Sequence, residues 1–279
     1  MCATPIGNLQ EMTPRCIEVL REVDVICAED TRRTMQLLNY FSIVPKRLIS
    51  YHEHNKNKQH EYILQLLAED KNVALVSDAG YPGISDPGEE LVALAIQRGV
   101  KVVSVSGANA ALNALVASGL PTSQFYFVGF LPKTKKNRRA ELLKIKGWDT
   151  TLVFYEAPHR LQEVLKEFLE VLDDRKIALC RELTKLHEEF FRGRISEAQV
   201  WLSKQEIRGE FVLVVGGLSC SGLLQETKEL SEEEVEVLIN EEFDELVAEG
   251  LDKKTAIAVL AKRLNLPKKI VYNTIVKRE

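Results

Sequence analysis

Two short stretches of this chain carry groups that can move protons. AEDTRR (Ala28–Arg33) sets Glu29, Asp30, Arg32 and Arg33 directly after an apolar run. SYHEHN (Ser50–Asn55) sets Tyr51, His52, Glu53, His54 and Asn55 after another. Carboxylates and imidazoles at strand ends can abstract a proton, orient a hydroxyl or contact substrate. Each stretch alone has a plainer reading. AEDTRR is a helix start capped by Asp30 or Thr31, and SYHEHN is a polar surface loop. As neighbours at one edge of one sheet, they read as a catalytic edge. The candidates for the proton are then Asp30, His52 and Glu53. A histidine titrates near neutral pH and can accept it, whereas a carboxylate can instead orient the hydroxyl. The residue types do not rank base against orienter.

Three glycine-bearing loops follow strand-like runs: ATPIGNL (Ala3–Leu9), SDAGYPG (Ser77–Gly83) and VSGANA (Val105–Ala110). Glycine lets a backbone turn sharply and approach a ligand closely. In open α/β sheets ligands sit at the carboxyl ends of the strands. Three such loops on one edge make a backbone-lined pocket with Asp78 as a side-chain anchor. The second loop lies in a longer stretch, VSDAGYPGISDPG, flanked by Asp78 and Asp86. Neither GxGxxG nor GxxxxGK[ST] is present, which excludes the dinucleotide fingerprint and the P-loop. The loops leave the ligand's identity open.

The elements that must position these residues alternate in type. EVDVICAED ends a helix and enters a strand, RLIS is a short strand, EYILQLLAED a helix and NVALVS a buried strand. EELVALAIQRG is a helix, KVVSVSG a further strand and ANAALNALVASGL a helix. This order predicts a mostly parallel α/β sheet. Around Leu120–Leu131 the pattern changes. Closely spaced strands (FYFVGFLP, TTLVFYEAPHR, KIALCRELT, EFFRGRI, GEFVLVVGG) predict a second domain with a mixed sheet. PKTKKNRR (Pro132–Arg139) is expected as a basic loop within it. The predicted division is 1–119, 120–219 and a helical region over 220–279 with a helix-turn-helix-like outline around Asn265–Pro267. That outline fits a packed helical pair as well as a groove-reading module.

Composition sets the outer limits. The chain has 279 residues, 45% hydrophobic and 28% charged, which is ordinary for a globular protein of two domains. No apolar run reaches membrane-spanning length, and MCATPIGNL has neither the basic start nor the apolar core of a signal peptide. The five cysteines are scattered without CxxC spacing, so neither a disulfide framework nor a metal centre is expected, and a reducing cytoplasm fits. The formal net charge is −4. Glu226–Glu249 holds eleven acids against one lysine and is expected as a solvated helix, which leaves the rest of the chain at +6. Lys133, Lys135, Lys136, Arg138 and Arg139 form the densest basic cluster, read either as solvated surface or as a phosphate-holding patch.

ATPIGNL, AEDTR, SYHEHN, SDAG-PGISDPG, GANAALNALVASGLP, GFLP, FYEAPHRL, RELTK-HEEFFRG and GEFVLVV occur here in one order. In that order they resemble the tetrapyrrole-methylase-like (class III) S-adenosylmethionine-dependent methyltransferases, in the branch acting on ribosomal RNA. The resemblance spans nearly the whole chain. It implies two α/β domains with the methyl donor in the cleft between them, and a homodimer. It implies 2′-O-methylation of a cytidine ribose in the decoding region of 16S rRNA, on the 30S subunit. Implied donor contacts are Pro5, Asp78, Ala79, Gly80, Tyr81, Gly107 and Ala108, with Tyr155, Glu156, Ala157, Gly209, Phe211 and Val212 from the second domain. The AEDTR and SYHEHN stretches would face the ribose. Arg32 and the cluster Lys133, Lys135, Lys136, Arg138 and Arg139 would hold RNA.

The chain departs from the pattern at Tyr81, Ser106 and Gly216, where threonine, proline and glutamate are usual. Only Met1 and Cys2 precede ATPIGNL, so the first donor loop is expected to be weakly anchored. Two rivals remain open at this stage: methylation of a tetrapyrrole or other small molecule, and a nucleic-acid-binding protein without catalysis.

Overall fold

In a computed structural model, which describes residues 1–220, 232–248, 250–264 and 266–278, three short apolar runs form a parallel sheet. These are β1 (Val25–Ala28), β2 (Leu48–Ser50) and β3 (Val73–Val76), in the order β2-β1-β3. β1 is buried on both faces, as a central parallel strand requires. Its alternate residues serve two cores. Ile26 and Ala28 pack with Cys16, Leu20 and Leu38 of α1 (Pro14–Glu22) and α2 (Thr31–Tyr40). Val25 and Cys27 pack with Ile63, Leu64 and Leu91 of α3 (Lys56–Ala68) and α4 (Glu89–Gln97). Thr13 caps α1 by accepting the Cys16 N–H, with Pro14 in the first turn.

The expected strand over Lys101–Gly107 forms only one parallel bridge, between Val105 and Cys2. Its neighbour there is the run Met1–Ala3. The weak anchoring expected of the first loop is also overturned. Cys2 N–H donates to Leu75 O at 2.9 Å, and Val105 N–H donates to Met1 O at 2.8 Å. The Met1 ammonium donates to Val103 O at 3.0 Å, and Thr4 and Gly80 exchange both backbone bonds at 2.9 and 3.0 Å.

The chain divides into two compact units. Met1–Asn113 with Glu182–Glu188 form the first, and Ala114–Arg181 with Glu189–Glu279 the second. The division falls inside α5 (Ala110–Ala117), a few residues before the predicted 119/120 boundary.

The second unit contains a five-stranded mixed sheet ordered β4-β5-β8-β6-β7. The strands are β4 (Phe125–Phe130), β5 (Thr151–Glu156), β6 (Lys176–Arg181), β7 (Glu189–Arg194) and β8 (Phe211–Val215). β4 and β5 run parallel, and the other pairs are antiparallel. α7 (Leu161–Leu172) lays Leu161, Val164, Leu165 and Phe168 on this sheet, and Phe168 meets Phe154 at 4.8 Å between ring centroids. α8 (Ile195–Ser203) adds Ile195, Ala198 and Leu202.

The expected basic loop is instead largely helix: α6 (Lys135–Ile145) begins inside it. Good helix formers and the buried positions Arg138, Leu142 and Ile145 at i, i+4 and i+7 explain this. Three C-terminal helices, α9 (Glu232–Ala248), α10 (Lys253–Arg263) and α11 (Lys268–Arg278), share a core of Ile239, Leu260, Val271 and Ile275. The acidic helix is therefore not wholly solvated, because it buries Ile239 and Leu246. Residues 226–231, Glu249 and Asn265 of the sequence readings lie outside the described residues. Among the described residues no helix is long and apolar enough to cross a membrane.

Candidate active site

The three glycine loops meet in the first unit. Gly80, at φ +78, pairs with Thr4 across an antiparallel bridge and takes a backbone conformation that favours glycine. Gly107 lies so close to Ala3 that a Cβ there would stand 2.8 Å from the Ala3 Cβ. The Tyr81 hydroxyl accepts the Gly107 N–H at 3.1 Å. Tyr81, read in the sequence as a departure at the rim, is thus the bolt between the second and third loops. Ser106, the second departure, accepts the Thr13 hydroxyl through its carbonyl at 3.1 Å.

The SDAG loop is tied to AEDTR. Asp78 Oδ1 accepts the Asp30 N–H at 3.1 Å, and Oδ2 accepts from Arg33 at 3.0 Å. Asp30 is the N-cap of α2. It accepts the Arg32 N–H at 2.8 Å and two guanidinium bonds at 3.2 and 2.9 Å. The Arg32 side chain and backbone bonds pull its carboxyl down to about 2. Asp30 is therefore ionised throughout the neutral range and holds a proton poorly. Arg32 leaves most of its surface to solvent.

SYHEHN separates by role. Tyr51 points inward, its hydroxyl 2.9 Å from His60 Nε2, and burial pushes it up to about 12. Glu53 pairs with Lys56 at 2.9 Å, and Lys56 also meets Glu90 at 2.7 Å. Asn55 pins the turn by accepting the His52 N–H at 2.8 Å and donating to Ser50 O at 3.1 Å. His52 Nδ1 is buried and has no hydrogen-bond partner. Of the three proton candidates, His52 has a buried ring nitrogen without a hydrogen-bond partner, while Asp30 and Glu53 are held in ion pairs.

Two further carboxylates, outside the three proton candidates, are shifted upward. Burial, then Asp78, raises Glu29 above the usual carboxylate range. Burial, then Glu29 and Asp78, raises Asp86 to about 7. The signal was legible: Glu29 lies within AEDTRR, and Asp86 is the second aspartate flanking the glycine-rich stretch.

In the second unit, β5 and β8 bring the two remaining nominated segments together. Tyr155 registers with Val212, and Glu156 with Phe211. Gly209, at φ +89, turns the chain before β8. Glu156 is buried; its Oε1 accepts the Ala157 N–H at 2.8 Å and lies 3.3 Å from Arg160 Nε, while Oε2 has no hydrogen-bond partner. Burial raises it despite Arg160. Arg181 lies over the Phe211 ring at 5.9 Å.

The basic cluster is corrected at Arg138. Its side chain is 2% exposed and donates to Glu163 and Glu167 at 2.7 Å each. It is a structural cation and cannot reach a phosphate. Arg139 faces Glu170 at 3.7 Å. Lys133, Lys135 and Lys136 are exposed. A cavity of about 580 Å³ lies elsewhere in this unit, lined by Asp149, Ser219, Asp252, Lys254 and Lys268 among others. None of the nominated residues lines it, so volume alone does not mark the site.

Residues 2–199 match the family model for tetrapyrrole (corrin/porphyrin) methylases. The chain is 47% identical over 273 residues to the ribosomal RNA small subunit methyltransferase I of Halalkalibacterium halodurans, covering 98% of this chain and 92% of that one. It is 47% identical to the Bacillus subtilis protein of the same name, covering 97% and 91%. A Thermus thermophilus uroporphyrin-III C-methyltransferase solved with S-adenosyl homocysteine has a TM-score of 0.51. At 21% identity, over 77% of this chain and 95% of that one, it is similar in fold.

Proposed function

Because the chain belongs to the tetrapyrrole (corrin/porphyrin) methylases and, within them, to the ribosomal RNA small subunit methyltransferase I family, we propose that it methylates 16S rRNA on the 2′-hydroxyl of a decoding-region cytidine. S-adenosylmethionine is the methyl donor, and the 30S subunit is the substrate particle. The observation that carries the reaction is the near full-length match to the relatives named for it. An rRNA substrate puts the enzyme with ribosomes in the cytoplasm, and the family resemblance adds a homodimer.

The residues fit such a donor. Glu29 and Asp86 are both raised, with burial and the Asp78 charge among the causes, while Arg33 is the cation on Asp78. That is an excess of negative charge, which a cationic ligand relieves. When bound, the donor supplies a positively charged sulfonium whose methyl group is open to in-line displacement. Pro5, Ala79, Gly80, Gly107 and Ala108 hold it from the joined loops. Asp78 sets the charge and fixes AEDTR to the same platform. Tyr155, Glu156, Ala157, Gly209, Phe211 and Val212 are the contacts assigned to the second unit.

Arg32, fixed by Asp30 at its base, steers a backbone phosphate. His52 accepts the ribose hydroxyl proton on its imidazole. Asp30 orients, and Glu53 braces the loop through Lys56. Lys133, Lys135, Lys136 and Arg139 hold phosphates further along the strand.

Calorimetric titration with S-adenosylmethionine tests the donor site. Wild-type protein is expected to bind and Asp78→Asn to bind at least about tenfold more weakly. Equal binding by both would remove Asp78 from the site.

A further inference from the structure

One surface feature of the second unit is not used by this account. The exposed face of β4 and the C-terminal half of α6 enclose a hollow of about 310 Å³, walled by Tyr126, Val128, Phe130, Pro132, Ile145 and Trp148. That volume is at the lower end of the roughly 300–1,000 Å³ of ligand pockets. Three of the wall residues are large aromatics left open to solvent: Tyr126 is 46% exposed, Phe130 57% and Trp148 41%. Tyr126 and Trp148 pack edge to face, 81° apart with centroids at 5.0 Å, and both keep part of their surface open to solvent. A Glu141–Lys144 ion pair sits on the rim.

We propose that this hollow is a stacking platform for an unpaired base of the ribosomal RNA, beside phosphates held by Lys133, Lys135 and Lys136. The inference rests on the rRNA reading above. Proteins that bind unpaired RNA combine aromatic faces with a basic track, because every base has a π-face and every nucleotide a phosphate. Both parts are present within one stretch of chain. Lys133, Lys135 and Lys136 lie just after Pro132 in the wall, are exposed, and have no carboxylate partner among the described residues. A second copy of the chain is a poorer occupant. Two copies meeting here face to face would set these lysines against each other. β4 is also an edge strand broken by a register shift between Phe127 and Gly129, which opposes edge-to-edge strand pairing.

The chain has two tryptophans, and Trp201 packs against Phe191 away from the hollow. In a Trp201→Phe protein, fluorescence therefore reports on Trp148. Titration with an oligouridylate of about 12 nucleotides, within the range that stacking grooves take up, is expected to quench it. Affinity should fall as salt rises. The double variant Tyr126→Leu/Trp148→Leu, followed by anisotropy of labelled RNA, should bind about tenfold or more weakly, with an unchanged thermal melt and unchanged S-adenosylmethionine binding. No quenching by RNA, wild-type affinity in the double variant, or quenching that follows protein concentration alone would each overturn the proposal. Methyl transfer to 30S subunits, run in parallel, separates the two layers. If the wild type methylates and the stacking test fails, the hollow alone is misread. If it methylates no rRNA, the rRNA reading falls and takes this inference with it.

Discussion

Asp78 and Asp30, far apart in sequence, are joined by a 3.1 Å bond from the Asp30 backbone N–H to Asp78 Oδ1. That bond makes the SDAG and AEDTR loops one piece. It also fixes the start of α2, whose cap is the Asp30 side chain. Asp78→Asn keeps one acceptor but loses the ion pair with Arg33. Beyond weaker donor binding, the Asp86 carboxyl should then fall from about 7 toward the ordinary aspartate range, because Asp78 is one of the charges raising it. Carboxyl NMR titration of the two proteins checks this.

Asp86 makes stability depend on pH in a stated direction. Its folded value of about 7 lies above that of an unfolded aspartate. The folded state therefore holds the proton more tightly, and stability falls as pH rises from about 4 to about 7. Asp86→Asn should flatten that part of a melting-temperature profile in the absence of ligand. Binding of a cation has the opposite slope, so donor affinity should rise over pH 6–8 in the wild type and stay level in the variant. Calorimetry at several pH values reads both slopes.

Arg138 and its neighbours should behave oppositely. Removing one member of a buried ion pair leaves the other unpaired and costs about 3–5 kcal/mol. Arg138→Ala, which strands the buried Glu167, should lower the melting temperature sharply. Lys133→Ala/Lys135→Ala/Lys136→Ala should leave it within about a degree or two. The triple variant should instead weaken RNA binding and reduce its salt slope by roughly the number of lysines removed. Thermal melts and a salt series on all variants make the comparison.

His52 and Asp30 should divide the kinetics. Loss of a general base costs about 10²–10⁴ in rate, so His52→Ala should lower kcat with little change in donor affinity. Asp30→Asn loosens Arg32 and should act mainly on KM for the 30S subunit. Single-turnover transfer with saturating donor distinguishes the two patterns. Equal, small losses in both variants would remove this edge from the chemistry.

The parallel sheet was legible because β1 and β3 are short apolar runs followed by glycine or charge, and burial on both faces leaves no other pattern. The glycine loops were legible as strand-end loops, and the structure adds that Thr4, Gly80, Tyr81 and Gly107 lock them together. Two of the overturned readings show why. Lys101–Gly107 has strand residues, but a strand also needs a neighbour along its length, and among the described residues it bridges only Cys2. Arg138 sits in a basic run that composition reads as solvent-facing. Its partners, Glu163 and Glu167, are on α7, and only the tertiary contact shows that they swallow its charge. Asp86 was passed over because its shifted ionisation comes from burial and from Glu29 and Asp78, which are brought near it only by folding.

Methyl transfer to rRNA is the activity on which the site assignments depend. Purified protein, radiolabelled S-adenosylmethionine and 30S subunits isolated from cells lacking the enzyme test it most directly, with the label mapped by resistance to alkaline cleavage. Label is expected in 16S rRNA at one decoding-region cytidine, with the adjacent phosphodiester alkali-resistant, and none with Asp78→Asn at limiting donor. Label on a base, on a protein or on a small molecule, or no label from a protein that binds the donor, would contradict it.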